Sequence, residues 1–414
     1  MNYKDKEIIE IAKDVKWVGI LDFDIRTFDI VMHTEHGTTY NSYFINAGKK
    51  VLIEVAKEKF SDTYLQKIRS VTDPGDIDYI ILNHTEPDHS GSLGILLDLA
   101  PSATVVGSGN AIRYLGDMLN KPFRSLVVKD GDTLDLGNKT LRFINAPNLH
   151  WPDSIYTYLE EDRILFTCDS FGAHYCDPLM RSKLTDEYIA AFRYYFDVIL
   201  KPYSKFMIRA IEKIEPLDMV AVCPGHGPIH YENHREVISF TRKLSEEYLQ
   251  ATGEKAVKNV LITYISAYGY TKEAAFHIAS GISGSGNFNV DVTDIETISA
   301  EDLDSKLTIS DAILVGSPTI NQNTLMPVYK LMALVNPIRD RGKIAGAFGS
   351  YGWSGEASRI INETLKNLKL VVCEEPAAFK FSPGASKKDY LIEFGKRFAE
   401  KIIESENAGG VTFK

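Results

Sequence analysis

The 414-residue sequence predicts an α/β chain of two domains, and three observations carry that prediction. Apolar runs of strand length recur along it. Amphipathic helical patterns lie between those runs. One change of texture, the polar and charged stretch "SEEYLQATGEKAVK" at 245–258, separates a β-rich first part from a regularly alternating second part. The division is placed after residue 254, giving domains 1–254 and 255–414.

Composition excludes several classes of function. At 44% hydrophobic and 25% charged residues the chain is globular. A formal net charge of -10 argues against nucleic-acid binding, which needs a basic surface. No apolar run approaches the roughly 20 residues that span a bilayer, so no membrane partner is expected. The first residues, "MNYKDKEIIEIAKDVKWVG", are charged and lack the apolar core of an export signal. Cys168, Cys176, Cys223 and Cys373 include no CxxC pair, so reduced thiols in a cytoplasmic protein are expected.

In the first domain the strand-like runs are "TTYNSYFIN" (38–46), "KKVLIEVA" (49–56), "DYIILNH" (78–84), "TVVGS" (104–108), "TLRFINAP" (140–147) and "RILFTCDS" (163–170). Several deliver ligand-grade side chains just past their ends. "NHTEPDHSGSLG" (83–94) supplies His84, Glu86, Asp88 and His89, and Ser90, Gly91 and Ser92 let the chain turn away tightly beneath them. "LRFINAPNLHWPDS" leads to His150, "RILFTCDS" to Asp169, and "MVAVCPGHGPIH" to His226. Ends of neighbouring strands converge on one spot, so the set predicts a metal site. Any one of these histidines alone would be read as a loop or capping residue; the coordinated recurrence argues for ligands. His33, His36, His230, His234 and His277 are expected at the surface or in turns. His174, in "DSFGAHY", is a candidate pocket residue, and the placement of Tyr194 and Tyr195 stays open.

The second domain runs "KNVLITYIS", helix "TKEAAFHIASGI", strand "NVDVTDI", helix "AEDLDSKL", strand "DAILVGS", a further helix, strand "KIAGAFGS", helix "GEASRIINETLKNL" and strand "LVVCEE". This alternation specifies a five-stranded, doubly wound parallel sheet covered on both faces. Ligands of such sheets bind beyond the C-terminal strand ends. Three loops fall there: "ISAYGYT" (265–271), with Ser266, Ala267, Tyr268, Gly269, Tyr270 and Thr271; "SPTINQN" (317–323), with Ser317, Pro318, Thr319 and Asn321; and "SYGWSGE" (350–356), with Ser350, Tyr351, Gly352, Trp353, Ser354 and Gly355. Hydroxyls and N–H groups at a helix N-terminus suit a phosphate, and an aromatic beside glycines suits a flat ring system.

The H-x-E-x-D-H run with the later His, Asp and His resembles the metallo-β-lactamase-like ligand set, which implies an αββα sandwich for the first domain. Zinc hydrolases of that fold carry His where this chain has Glu86, and a carboxylate there hardens the site toward iron. With Glu86 and "NLHWPDS" (148–154), the first domain resembles the diiron domain of the flavodiiron proteins; residues 258 to about 405 resemble their flavodoxin-like domain. The resemblance covers nearly the whole chain and implies FMN and two irons as cofactors. One iron would take His84, Glu86 and His150, the other Asp88, His89 and His226, with Asp169 bridging. In some members the histidine equivalent to His89 turns away and water replaces it. Tyr270 departs from the small hydroxyl residue often found before the Thr, which puts its side-chain contact in doubt.

The resemblance further implies reduction of O2 to water, NO to N2O, or both, in a head-to-tail homodimer or a tetramer. Because the chain ends at "NAGGVTFK" with no CxxC pair, an external donor is expected, rubredoxin first and a reduced deazaflavin second. Two alternatives remain open at this point: a metal-dependent hydrolase with a flavodoxin-like regulatory domain, and a non-catalytic electron carrier.

Overall fold

Successive residues of the central strands in the first half bury on opposite faces, which explains why those strands read as unbroken apolar runs. Tyr43 and Ile45 join one core while Phe44 joins another; Val51 and Ile53 divide from Leu52 in the same way. The computed structural model describes residues 7–29, 32–253, 255–372 and 374–407. Cys373, Glu254 at the expected domain boundary, and "AGGVTFK" at the chain end lie outside the described residues. The chain divides into two compact units, Met1–Leu249 and Gln250–Lys414.

The first unit has two main sheets. One runs in the order Ile9–Ala12, Val15–Trp17, Tyr43–Asn46, Lys50–Ile53, Tyr79–Ile81, Thr104–Gly107, Arg124–Val127. The other runs Thr133–Asp135, Thr140–Asn145, Ile155–Leu159, Ile164–Cys168, Ala221–Pro224. A shared core holds Trp17, Ile53, Ile81 and Val106 from the first sheet with Phe143, Ile155, Phe166 and Cys223 from the second. Outside the first sheet pack Tyr64 and Leu65 of helix Ser61–Val71, Leu93 and Leu96 of Leu93–Leu99, and Leu115 of Gly109–Leu119. Outside the second pack Tyr188 and Phe192 of Asp186–Tyr195, Met207 and Ile211 of Ser204–Ile214, and Val237 and Leu244 of His234–Thr252. The layers are therefore αββα.

The run 38–46 is two strands, Thr38–Tyr40 and Tyr43–Asn46, in different sheets. Asn41 between them is fully buried and accepts from Trp17 Nε1 at 2.9 Å, while its amide donates to the carbonyls of Pro224 at 2.7 Å and Gly227 at 2.9 Å. These bonds break the strand and pin the turn that carries His226.

In the second unit the sheet order is Phe288–Asp294, Lys258–Tyr264, Ala312–Gly316, Ile344–Tyr351, all parallel. The expected single fifth strand is instead two short pieces on one edge. Val371–Val372 pairs with Ile344 and Ala345, and Ala377–Lys380 pairs with Phe348 to Tyr351. Helices cover both faces, with Ala274, Ile278, Phe394 and Phe398 on one and Leu303, Leu307, Leu331 and Ile361 on the other. No helix among the described residues is long and apolar enough to cross a membrane.

Candidate functional site

Three strand ends, one from the first sheet and two from the second, and one loop build the first site. The strand Tyr79–Ile81 leads through His84 and Glu86 into the short helix Pro87–Ser90, which holds Asp88 and His89. His150 lies beyond Thr140–Asn145, Asp169 directly follows Ile164–Cys168, and His226 follows Ala221–Pro224. Cys168 takes a left-handed backbone at φ 46°, a conformation that costs a non-glycine residue about 1–2 kcal/mol. It turns Asp169 out of the strand, and the Cys168 carbonyl accepts from Gly225 N at 2.6 Å. Gly225 itself has no room for a side chain, because a Cβ would sit 2.7 Å from His89 Cε1.

All seven predicted residues come together, in two groups that share Asp169. His84 Nε2 lies 3.2 Å from Glu86 Oε2 and 3.6 Å from Asp169 Oδ2; His150 Nε2 lies 3.0 Å and 3.2 Å from the same two atoms. Across the site, His226 Nε2 is 3.0 Å from Asp88 Oδ2, and His89 Nε2 is 3.4 Å from it. Those two nitrogens lie 3.6 Å and 3.1 Å from Asp169 Oδ1. Each Asp169 oxygen thus serves one group. His84, Glu86, His150 and Asp169 are one cluster able to hold a metal ion, and Asp88, His89 and His226 another.

The electrostatics point the same way. Burial acts to lower His84, His89 and His150, but the carboxylates around them outweigh it and hold each at about 10. Burial likewise works to raise Asp88, Asp169 and Glu86, yet all three are held below the usual carboxylate range. His89 does this for Asp88 and Asp169, and the hydrogen bond from His150 for Glu86. The set therefore favours positive charge at its centre, which a pair of metal ions supplies. Asp88 Oδ1 is buried without a hydrogen-bond partner, a further free donor atom in the set. Imidazole and carboxylate donors without thiolate suit iron, so the residues fit a diiron pair.

Residues beyond the predicted set complete the surroundings. Asp153 Oδ1 stands 3.3 Å from His84 Nδ1, and its other oxygen accepts from Thr85 N at 2.8 Å and Thr85 Oγ1 at 2.7 Å. His226 Nδ1 is 2.5 Å from the Thr39 carbonyl. Tyr195 is buried and donates to Asp169 Oδ1 at 3.1 Å; Tyr194 lies outside, accepting from His33 N at 3.2 Å. Asp153 sits in the quoted "NLHWPDS", three residues past His150, and that proximity was its available signal. Thr39 had none, since it acts through its backbone from 187 positions away.

His174 is buried with Nδ1 2.9 Å from Thr38 Oγ1 and Nε2 unpartnered, its ring packed on Phe28, Tyr195 and His226. Burial, then the charge of His226, pushes it down to about 3, so it stays neutral. His230 corrects an expectation. It is not a surface or turn residue but fully buried, and burial is tolerated because Ser182 Oγ at 2.9 Å and the Phe171 carbonyl at 2.8 Å satisfy both nitrogens. His33 is exposed; His36 pairs with Glu187 at 3.1 Å, His277 lies 3.6 Å from Glu273, and His234 opens its helix against the Tyr231 carbonyl.

In the second unit the three predicted loops gather at the C-terminal strand ends. Gly269 takes φ 85° with open space where a Cβ would be, and the helix Tyr270–Ser283 starts from it. Thr271 Oγ1 is 3.1 Å from Ser350 Oγ, and Thr319 N donates to the Ser350 carbonyl at 2.8 Å, so each loop touches the strand that carries the third. Ser266 Oγ accepts from Lys272 N, and Thr319 Oγ1 from Ala357 N. Ser317 is buried below, while Asn321 has φ 53° at the tip of its loop. Ser350 and Tyr351 end the strand rather than belonging to a loop. Gly352 to Gly355 make the connection to the helix Glu356–Asn367, with Tyr268 and Trp353 81% and 82% exposed on the surface. A glycine-lined helix N-terminus with exposed flat rings beside it fits a flavin phosphate and ring.

Comparison with known proteins follows the same division. The ODP family beta lactamase profile matches residues 38–227 and the flavodoxin profile residues 262–395. The flavo-diiron protein FprA2 of Clostridium acetobutylicum is 41% identical over 95% of this chain and 99% of its own. The type A flavoprotein fprA of Rhodobacter capsulatus is 37% identical, covering 95% and 91%. The rubredoxin oxygen:oxidoreductase structure from Desulfovibrio gigas superposes with a TM-score of 0.69 at 27% identity, over 97% of this chain and 100% of that one. Identity and coverage of this extent over both domains place the chain in a family of oxidoreductases that carry FMN and a diiron centre: it belongs to the flavodiiron proteins.

Proposed function

We propose that this chain reduces O2 to water, NO to N2O, or both, at a diiron site fed through FMN. The diiron domain is taken as residues 1–254 and the FMN domain as 255–414. His84, Glu86 and His150 hold one iron, Asp88, His89 and His226 the other, and Asp169 bridges them. The observation that carries this reading is Asp169, which turns one carboxylate oxygen to each ligand group. The FMN phosphate is assigned to Ser266, Ala267, Tyr268, Gly269, Tyr270 and Thr271. Its ring is assigned to Ser317, Pro318, Thr319, Asn321, and Ser350 through Gly355.

Bound to this chain, reduced FMN and a diferrous pair together supply four electrons, enough to take O2 to two waters, whereas two join two NO as N2O. The protein's part is to position and to exclude. Asp153 and the Thr39 carbonyl fix the rings of His84 and His226. Tyr195 holds a phenolic proton on Asp169 Oδ1, raised well above its ordinary range by burial and then by that carboxylate. Phe28 and Tyr40 pack on His226 and keep water from its face. His174, neutral, offers one unpartnered ring nitrogen to hold or pass a proton.

The donor is assigned as rubredoxin, which the name of the Desulfovibrio gigas relative supports, with a reduced deazaflavin as the second choice. A head-to-tail homodimer, alone or as half of a tetramer, is proposed to bring each FMN against the partner's irons in the cytoplasm. Family membership favours this reading over the hydrolase and the electron carrier. Anaerobic protein reduced through rubredoxin should consume O2 or NO at an enzymatic rate, about 1–1,000 per second. Rate constants measured with each gas separately give the preference. A preparation loaded with iron and FMN that consumes neither gas would refute the proposal.

A further inference from the structure

Three histidine rings in this site present Nε2 to the shared carboxylates from fully buried positions, and two of them have an evident partner on the opposite nitrogen. His84 Nδ1 faces Asp153 Oδ1 at 3.3 Å, and His226 Nδ1 faces the Thr39 carbonyl at 2.5 Å. The third, His89, is buried with Nδ1 lacking any hydrogen-bond partner. A metal-bound imidazole nearly always donates its second N–H to a carboxylate or carbonyl.

Glu54 supplies an acceptor of that kind. It follows the strand Lys50–Ile53 with a left-handed backbone at φ 59°, and its carboxylate is buried, with the residue 1% exposed. Oε1 accepts from Asn83 N at 2.8 Å, while Oε2 has no partner. The next residue ties the two segments together, Val55 N donating to the His89 carbonyl at 3.0 Å. One ligand-type atom each of Glu54, His89 and Cys168 lie within 4.8 Å of one another. His89 Nε2 is turned to Asp169 and Asp88, which leaves Nδ1 as the nitrogen for this side. A thiol is a weak acceptor, so the carboxylate is the fitting partner. Burying a carboxylate with one oxygen unused is costly, and a strained backbone adds to the cost.

We infer that Glu54 is the positioning residue of His89, its free Oε2 accepting a hydrogen bond from the Nδ1–H and so aiming Nε2 at the metal beside Asp88. This rests on the ligand reading proposed above. Glu54 would then serve two donors at once, the Asn83 N–H through Oε1 and the His89 ring through Oε2. An amide in its place has one acceptor oxygen and can serve only one of them.

The test is Glu54→Gln in the full-length, iron- and FMN-loaded protein, read by iron affinity, by Mössbauer spectra of 57Fe and by FMN content. Iron affinity on the Asp88, His89, His226 side should fall about 10–100-fold, as for lost outer-shell partners. One of the two iron sites should change its spectrum while FMN stays stoichiometric. In a His89→Ala background the same Glu54→Gln change should cause no further loss, because its route to the metal is gone. Unchanged affinity and spectrum would overturn the inference. So would an equal loss in both backgrounds, or loss of iron and FMN together in both, since either reports a carboxylate that merely braces the Asn83 turn. A wild-type chain without an iron pair overturns the ligand reading and this inference with it.

Discussion

Asp169→Ala should abolish the iron pair and leave FMN bound. No other proposed ligand faces both groups: Oδ1 stands 3.1 Å from His89 Nε2 and 3.6 Å from His226 Nε2, and Oδ2 stands 3.2 Å from His150 Nε2 and 3.6 Å from His84 Nε2. Removing it leaves four imidazoles, those of His84, His89 and His226 buried and that of His150 partly so, without their common counter-charge, and Tyr195 without its acceptor. Changes in outer-shell partners alone cost roughly 10–100-fold in metal affinity, so loss of the shared ligand should exceed about 100-fold. The flavin loops belong to the other compact unit, so flavin content should stay stoichiometric, while far-UV circular dichroism checks that the unit carrying Asp169 remains folded. Iron analysis with Mössbauer spectroscopy and flavin absorbance measures both in one preparation. A variant that kept a coupled iron pair and normal turnover would show that Asp169 has been given the wrong role.

Two inactive variants should restore activity when combined in one dimer. The first carries Asp169→Ala. The second carries Gly269→Trp, which places a bulky residue at a left-handed glycine, φ 85°, heading the first flavin loop. In the proposed head-to-tail homodimer, one flavin-to-iron junction of the mixed dimer pairs an intact FMN with the partner's intact irons. The other junction is broken twice. Two-fold symmetry then predicts recovery of roughly half the wild-type rate per heterodimer, from near zero for either parent. If electrons pass only within one chain, every route contains a broken cofactor, and a verified heterodimer should remain inactive. That outcome would remove the head-to-tail arrangement and leave the ligand assignments standing.

The ligand positions were legible because each follows an apolar strand run, and strand ends in a covered sheet converge by construction. The flavin loops were legible from the regular alternation of strand and helix. What escaped the sequence depends on contacts far apart along the chain. The strand Ile155–Leu159 lies directly after "NLHWPDS" (148–154), with no turn signal between them, yet its pairing with Thr140–Asn145 defines the second sheet. Asn41 breaks an apparently continuous strand because its partners, Trp17, Pro224 and Gly227, converge from distant segments. His230 resembles any other turn histidine until the Phe171 carbonyl, 59 positions earlier, is seen to accept from it. Glu54 likewise reads as an ordinary charged residue ending a strand, and only its burial beside His89 gives it a role. Alternation, spacing and residue type were enough for the ligands; their supporting partners required the fold.

Metal and flavin content of the purified protein tests the central claim most directly. The donor set of four imidazoles and three carboxylates, with Asp169 shared, predicts two irons per chain. The gathered loops around Gly269, Thr319 and Ser350 predict one FMN per chain, released intact on denaturation. Stoichiometric zinc without iron, in protein that still binds its flavin, would contradict the account and return the site to hydrolytic chemistry.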